Sequence, residues 1–134
     1  MTNAVRTTTD RDAVLDVIAE LYRAWADNDA DALADLYLED ATSIVRGALN
    51  DSREQVRANM AQNFAGPLKG SRVVDEPAFV RFPAPDTAVA VGRAAIRFAG
   101  EEQVPADRWV IATWVLVRRD AGWRIAAYHN GPVA

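Results

Sequence analysis

Cysteine is absent from the 134 residues, and with it disulfides, thiolate metal sites and a cysteine nucleophile. Histidine occurs once, at position 129, so a zinc centre would have to be assembled from carboxylates, and none has convincing ligand spacing. No apolar run approaches the roughly 20 residues that a membrane helix needs. The opening MTNAVRTTTDRDAV lacks the apolar region of a signal peptide, and the expectation is a cytoplasmic protein. No G-x-G-x-x-G loop is present to hold a dinucleotide, and no G-x-S-x-G elbow to present a serine nucleophile. The expectation is therefore a protein without metal or cofactor.

What is present suits one soluble domain spanning 1–134. Half of the residues are hydrophobic and a quarter are charged, and the length allows a real core. The net charge of −4 is unevenly placed. Residues 1–54 hold 12 acids against 5 arginines, and residues 55–134 hold 7 acids against 10 bases. A nucleic-acid reader would carry a basic stripe with interleaved aromatics. The arginines here are scattered through apparent strands, so nucleic acid is not an expected partner.

The first half reads as helical. Val14, Ile18, Leu21, Tyr22 and Trp25 fall on one helical face, with Thr9 or Asp10 as the expected cap. Asp29 is placed to cap a second, short helix carrying Leu33, Leu36 and Tyr37. ATSIVR (41–46) reads as a short strand. Ser52 and Gln55 form a capping-box pattern opening a third helix with Val56, Met60 and Phe64 on one face, and Gly66-Pro67 stops it.

After Gly70 the pattern is strand-like to the end. SRVVDEPAFVRF and TAVAVGRAAIRFAG are separated by PAPD, and DRWVIATWVLVRR and WRIAAYHN flank Asp120-Ala121-Gly122. A three-residue loop ending in glycine suits a type I turn closed by a bulge, with Gly122 left-handed. Pairing Arg119 with Trp123 then sets Thr113 opposite His129 on one face, and Trp114 opposite Tyr128 on the other. In the preceding strand, Ala90, Gly92, Ala94, Ile96 and Phe98 share a face that suits helix cover, since Arg93 and Arg97 lie on its reverse. Its small members leave volume, so a cavity is expected, with His129 and Thr113 among its polar groups. Trp114, Leu116 and Tyr128 are then left on an exposed outer face, the expected interface of a homodimer. Helices followed by an antiparallel sheet make the class α+β.

YRAWADNDADALADLYLEDAT (22–42), the helix beginning DSREQV, and the ending WRIAAYHNGP resemble the nuclear transport factor 2-like superfamily, which includes ketosteroid isomerases and SnoaL-type polyketide cyclases. Within it, FAGPLKGSRVVDEP, ATWVLVRRDAGWR and AYHN resemble the SgcJ/EcaC-type family associated with enediyne gene clusters. The resemblance implies a cystatin-like α+β barrel: a cone-shaped, strongly bent antiparallel sheet wrapped by three N-terminal helices, hollow, and dimeric through its outer face. It also implies that the steroid-isomerase apparatus is missing. The general-base aspartate position is Val45, the oxyanion tyrosine is Leu21, and the protonated aspartate is Thr113. Tyr37, Met60, Ile96, Ala127 and His129 match the pocket wall.

Asp27, Asp29 and Asp31 imitate the start of a calcium loop, yet Ala32 stands at the required glycine and Leu38 at the bidentate glutamate. Helix capping accounts for the trio instead. Tyr37 and His129 are the polar pair expected to move protons, as donor and acceptor, with structural roles as the alternative for both. Trp25 can be core or wall; Trp109 is taken as wall by strand parity. Asn59 and Asn63 flank the Met60 face, where solvation is the simpler reading. The leading expectation is a small biosynthetic protein that holds an apolar, polyketide-derived intermediate and acts as an acid–base cyclase or isomerase. The alternatives are a non-catalytic protective module for a reactive polyene, and a dimeric interaction domain without ligand.

Overall fold

The computed structural model of the chain describes the backbone of residues 2–133 and the side chains of residues 9–133. The elements run α1 (Thr2–Ala26), α2 (Ala30–Ala34), β1 (Tyr37–Val45), β2 (Ala48–Asn50), α3 (Arg53–Phe64), β3 (Arg72–Ala84), β4 (Thr87–Arg97), β5 (Val110–Arg119) and β6 (Gly122–Pro132), with a 3-10 turn at Ala106–Arg108 before β5. Val14, Ile18 and Leu21 are buried along α1, as their spacing requires. The expected cap at Thr9 or Asp10 is overturned, because the helix already runs from Thr2. No glycine or proline interrupts TNAVRTTT, and the Asp10 carboxylate instead accepts from the Arg118 guanidinium of β5 at 2.8 Å.

The other two caps form as the side chains dictate. Asp29 accepts from the Ala32 amide at 3.0 Å and opens α2. Ser52 accepts from the Gln55 amide at 3.2 Å, while the Gln55 side chain reaches back to the Asp51 amide at 2.8 Å. Asp31 and Asp35 both receive the Arg57 guanidinium, at 2.9 and 3.0 Å, which ties α2 to α3. Tyr37 belongs to no helix. Capping at Asp35 ends α2, and the Ile125 amide of β6 donates to the Leu36 carbonyl at 2.9 Å, so the chain enters β1 against that strand.

One six-stranded sheet has the order β2-β1-β6-β5-β4-β3. It differs from the expected architecture in two ways. β1 runs parallel to β6, whereas the other pairs are antiparallel. The sheet is also open, with β2 and β3 at its edges, and no barrel closes. Its bend comes from irregular register: β3 bulges at Ala78, between the Pro77 and Phe79 pairs, and β6 bulges at Ala126, between Ile125 and Ala127.

The bulge in β6 splits the expected hairpin register in two. Thr113 opposite His129, Trp114 opposite Tyr128 and Val115 opposite Ala127 are found as expected. Nearer the turn, Arg119 pairs with Gly122 and Leu116 with Ile125, one residue out of step. Gly122 is left-handed, with φ of 110°.

Which face points inward is the larger correction. Ala90 of β4 stands opposite Trp114, Ala88 opposite Leu116 and Gly92 opposite Ala112. The small-residue face therefore carries Trp114 and Leu116, which are buried. Tyr22 of α1 meets the Trp114 ring edge-on at 6.1 Å, and Tyr128 lies 4.2 Å from it. The small side chains make room for these large rings. Trp114, Leu116 and Tyr128 thus form the inner face, and cannot be the outer interface that their alternation suggested. Val14, Leu33, Leu116 and Ile125 are fully buried at its centre, each worth roughly 1.5–3 kcal/mol of transfer free energy.

Candidate functional site

Between α1, α3 and the inner face of the sheet lies a cavity of about 490 Å³. Its floor is set by buried Leu21, Leu33, Tyr37, Val56 and Trp114. Exposed Arg46, Asn59, Asp107 and Pro132 mark its mouth. Trp114 and Tyr128 border the space on the sheet side, and Ala94 and Ala95 line it with short side chains that leave volume beside those rings.

Seven of the ten residues singled out from the sequence line this space. Leu21 and Trp25 come from α1, Tyr37 from β1 and Met60 from α3, while Ile96, Phe98 and Trp109 come from the ends of β4 and β5. Trp25 is fixed by two contacts: its indole N–H donates to the Ser71 hydroxyl at 2.8 Å, and its ring meets Phe64 edge-on at 5.6 Å. Trp109 borders the cavity, yet its ring takes the Arg93 guanidinium at 5.0 Å, so strand parity placed it only in part. Phe98 likewise carries the Arg108 guanidinium, 4.6 Å above its ring.

Thr113, Ala127 and His129 do not line the cavity. His129 is exposed on the outer face of the sheet, opposite Thr113 on β5 and Ile44 on β1. The physical reason is the β4–β5 register: Val91, whose face also holds Arg93, stands opposite Thr113, so Thr113 and His129 share the outer side. Carrying the protonated-aspartate position onto Thr113 fails for the same reason. The expected Tyr37–His129 proton pair is not assembled.

Three phenols face the interior in its place, and they are all the tyrosines of the chain. Burial pushes the Tyr37 hydroxyl well above the ordinary phenol range, with Tyr128 adding to the rise and hydrogen bonding to Ser43 offsetting part of it. Tyr22 is raised by burial, then by Tyr128, Asp75 and Tyr37. Tyr128 is raised by burial too, although the Asn130 amide donates to its oxygen at 2.8 Å. All three stay protonated near neutrality and can donate to an oxygen on a guest.

Asp75 is the polar residue that pattern reading missed. It is half-buried on the inner face of β3, opposite Ala94, and its carboxyl is raised first by burial and then by Glu76. Its alternation with Val73 was the signal that could have placed it. Asp75 does not line the cavity, and Asp107 at the mouth is the one carboxylate among the described lining residues. Of the aspartates that imitate a calcium loop, Asp29 is occupied as a cap and Asp31 by Arg57. Among the described residues, no group of three or more histidine or acidic side chains is placed to hold a metal. No described helix is long and apolar enough to cross a membrane.

The sequence profile of the SnoaL-like domain matches residues 14–134. No curated protein matches the chain significantly. Solved structures agree on the fold. A domain of unknown function with a cystatin-like fold from Nostoc punctiforme superposes with a TM-score of 0.86 at 25% identity, over 95% of this chain and 79% of that one. A nuclear transport factor 2-like protein with a cystatin-like fold from Novosphingobium aromaticivorans gives 0.85 at 25% identity, over 98% and 87%. A nuclear transport factor 2-like protein of unknown function from Shewanella oneidensis gives 0.74 at 19% identity, over 89% and 96%.

Proposed function

The chain belongs to the SnoaL-like domain family, and from that premise we propose that it binds an apolar, oxygen-bearing small molecule in the cone. One observation carries the reading: a largely apolar cavity of about 490 Å³ into which three phenols, held protonated by burial, face from its inner wall. That volume falls inside the roughly 300–1,000 Å³ usual for small-molecule sites. The strings FAGPLKGSRVVDEP and ATWVLVRRDAGWR support a finer assignment, a polyketide-derived intermediate of enediyne biosynthesis.

Binding is better supported than turnover. Acid–base cyclisation or isomerisation needs a base beside the reacting carbon. With His129 on the outer face, the described floor offers donors and no neutral-pH acceptor of a proton. The protein then shelters and presents its guest, with Tyr37 donating to a guest oxygen. A mass spectrum taken under native conditions tests this, with a bound small molecule expected on the wild-type chain. Tyr37→Phe should weaken retention about two- to tenfold, the worth of one hydrogen bond. Absence of any bound molecule, together with unchanged probe binding when Leu21→Trp fills the floor, overturns the reading.

Self-association through the outer sheet face belongs to the same proposal, on residues different from those first expected. Ile44, Val89, Val91, Val115 and Ala127 lie there around Thr113 and His129. α1 packs on the other side, against β3, β4 and β6. A stable dimer needs about 800 Å² from each partner. Val115→Arg should give a monomer by sedimentation, and a wild type that is already monomeric at micromolar concentration refutes the idea.

A further inference from the structure

Arg46 occupies a position that an arginine fits badly. Val45 pairs with Ala48, so Arg46-Gly47 is a two-residue hairpin loop, and both residues have positive φ, 53° and 75°. Such a type I′ turn is relaxed with asparagine, aspartate or glycine at its first position, and a longer side chain there is strained. Nothing among the described residues compensates. Among the described residues, the Arg46 guanidinium has no carboxylate within ion-pair distance and donates no hydrogen bond. It is exposed, and it borders the cavity.

The other arginine on the lining is already committed. Arg108 holds Glu101 through both carboxylate oxygens, donates to the Ile96 carbonyl at 3.0 Å and stacks on Phe98. Its charge is cancelled where it stands, which leaves Arg46 as the uncompensated cation of the mouth, with Asp107 as the acid of the same rim. The Asn50 and Asn59 amide nitrogens border the same opening and donate to nothing within the described fold. A strained, unpaired guanidinium beside spare amide donors, above an apolar chamber, is a receptor for anionic oxygen.

We propose that Arg46 recognises an anionic group at the mouth of the cavity, and that the guest is an amphipathic acid: an apolar, unsaturated body in the cone with its charged oxygens outside. This rests on the binding function proposed above and narrows its ligand class. Inner phenols take any oxygen on the body, while Arg46, Asn50 and Asn59 take the head.

The test uses trans-parinaric acid, a conjugated tetraene carboxylate that fluoresces in apolar surroundings, and its neutral methyl ester. Wild type should bind the acid more tightly than the ester, and added salt should narrow the difference. Arg46→Asn relaxes the turn and removes the charge. It should raise the melting temperature while weakening the acid at least about fivefold, the worth of a charge-assisted hydrogen bond, and leave the ester within about twofold. Asp107→Asn should tighten the acid and not the ester. Equal affinity for acid and ester in wild type, or an Arg46→Asn variant that changes both alike, overturns the anion site while leaving the cavity reading intact. If neither probe binds wild type, the binding function fails and this inference falls with it.

Discussion

The three phenols make a prediction that needs no ligand. Free tyrosine is half ionised at about pH 10, so three ordinary tyrosines would give about 1.5 equivalents of tyrosinate there. Tyr22, Tyr37 and Tyr128 are all raised above that value, chiefly because burial disfavours the phenolate. With no other tyrosine in the chain, absorbance at 295 nm reports these three alone. The folded protein should therefore show clearly less than about 1.5 equivalents of tyrosinate at pH 10. The sign for stability follows. Below about pH 10 both folded and unfolded phenols are neutral, and the burial of Tyr37 is fully supported. As pH rises beyond that, unfolded phenols ionise before the folded ones, and the stability they contribute is lost as pH climbs through the raised folded values. The tyrosinate titration should therefore be displaced to higher pH than that of the urea-unfolded chain. If about 1.5 equivalents titrate at pH 10 with the dichroism intact, the phenols are open to solvent and the interior described above is wrong.

Further tests address the sheet and the histidine. A Cβ on Gly92 would meet the Glu76 carbonyl oxygen at 2.8 Å and the Pro77 Cα at 3.1 Å, so Gly92→Ala must push β4 and β3 apart. Urea unfolding should show a loss of about 1–3 kcal/mol, and an unchanged midpoint would refute the close approach. Leu116 is fully buried among Ala88 and Ile125, and Leu116→Ala should cost about 2–5 kcal/mol, where a loss below 1 kcal/mol would contradict its place in the core. His129, exposed on the outer face, should react with diethylpyrocarbonate without loss of probe binding in the cone, and dimerisation should slow that reaction. Probe release on modification would return His129 to the cavity.

Most of the architecture was legible because it is written in local chemistry. The face of α1 follows from Val14, Ile18 and Leu21, the caps follow from Asp29 and Ser52, and the turn follows from Gly122. Alternation also told which residues share a side: Thr113 with His129, Trp114 with Tyr128. What it could not tell is which side is inside, since both carry apolar residues. That choice is made between strands, where Ala90 and Gly92 of β4 stand opposite Trp114 and Ala112 of β5. The small residues were read as empty space for an apolar guest, with His129 and Thr113 among its polar walls. Ala88 and Ala90 make room for Leu116 and Trp114, and the space that stays open runs from the Trp114 and Tyr128 rings to Ala94, Ala95 and Ile96. The parallel pairing of β1 with β6 was hidden for a related reason, because it joins segments more than eighty residues apart and leaves no periodicity in either. Tyr37 shows the consequence. It was chosen as a wall residue on a helix, and it is a wall residue on a strand, brought to the floor by a partner strand at the far end of the chain. Volume complementarity across a sheet therefore decides both what the core is made of and where the cavity begins.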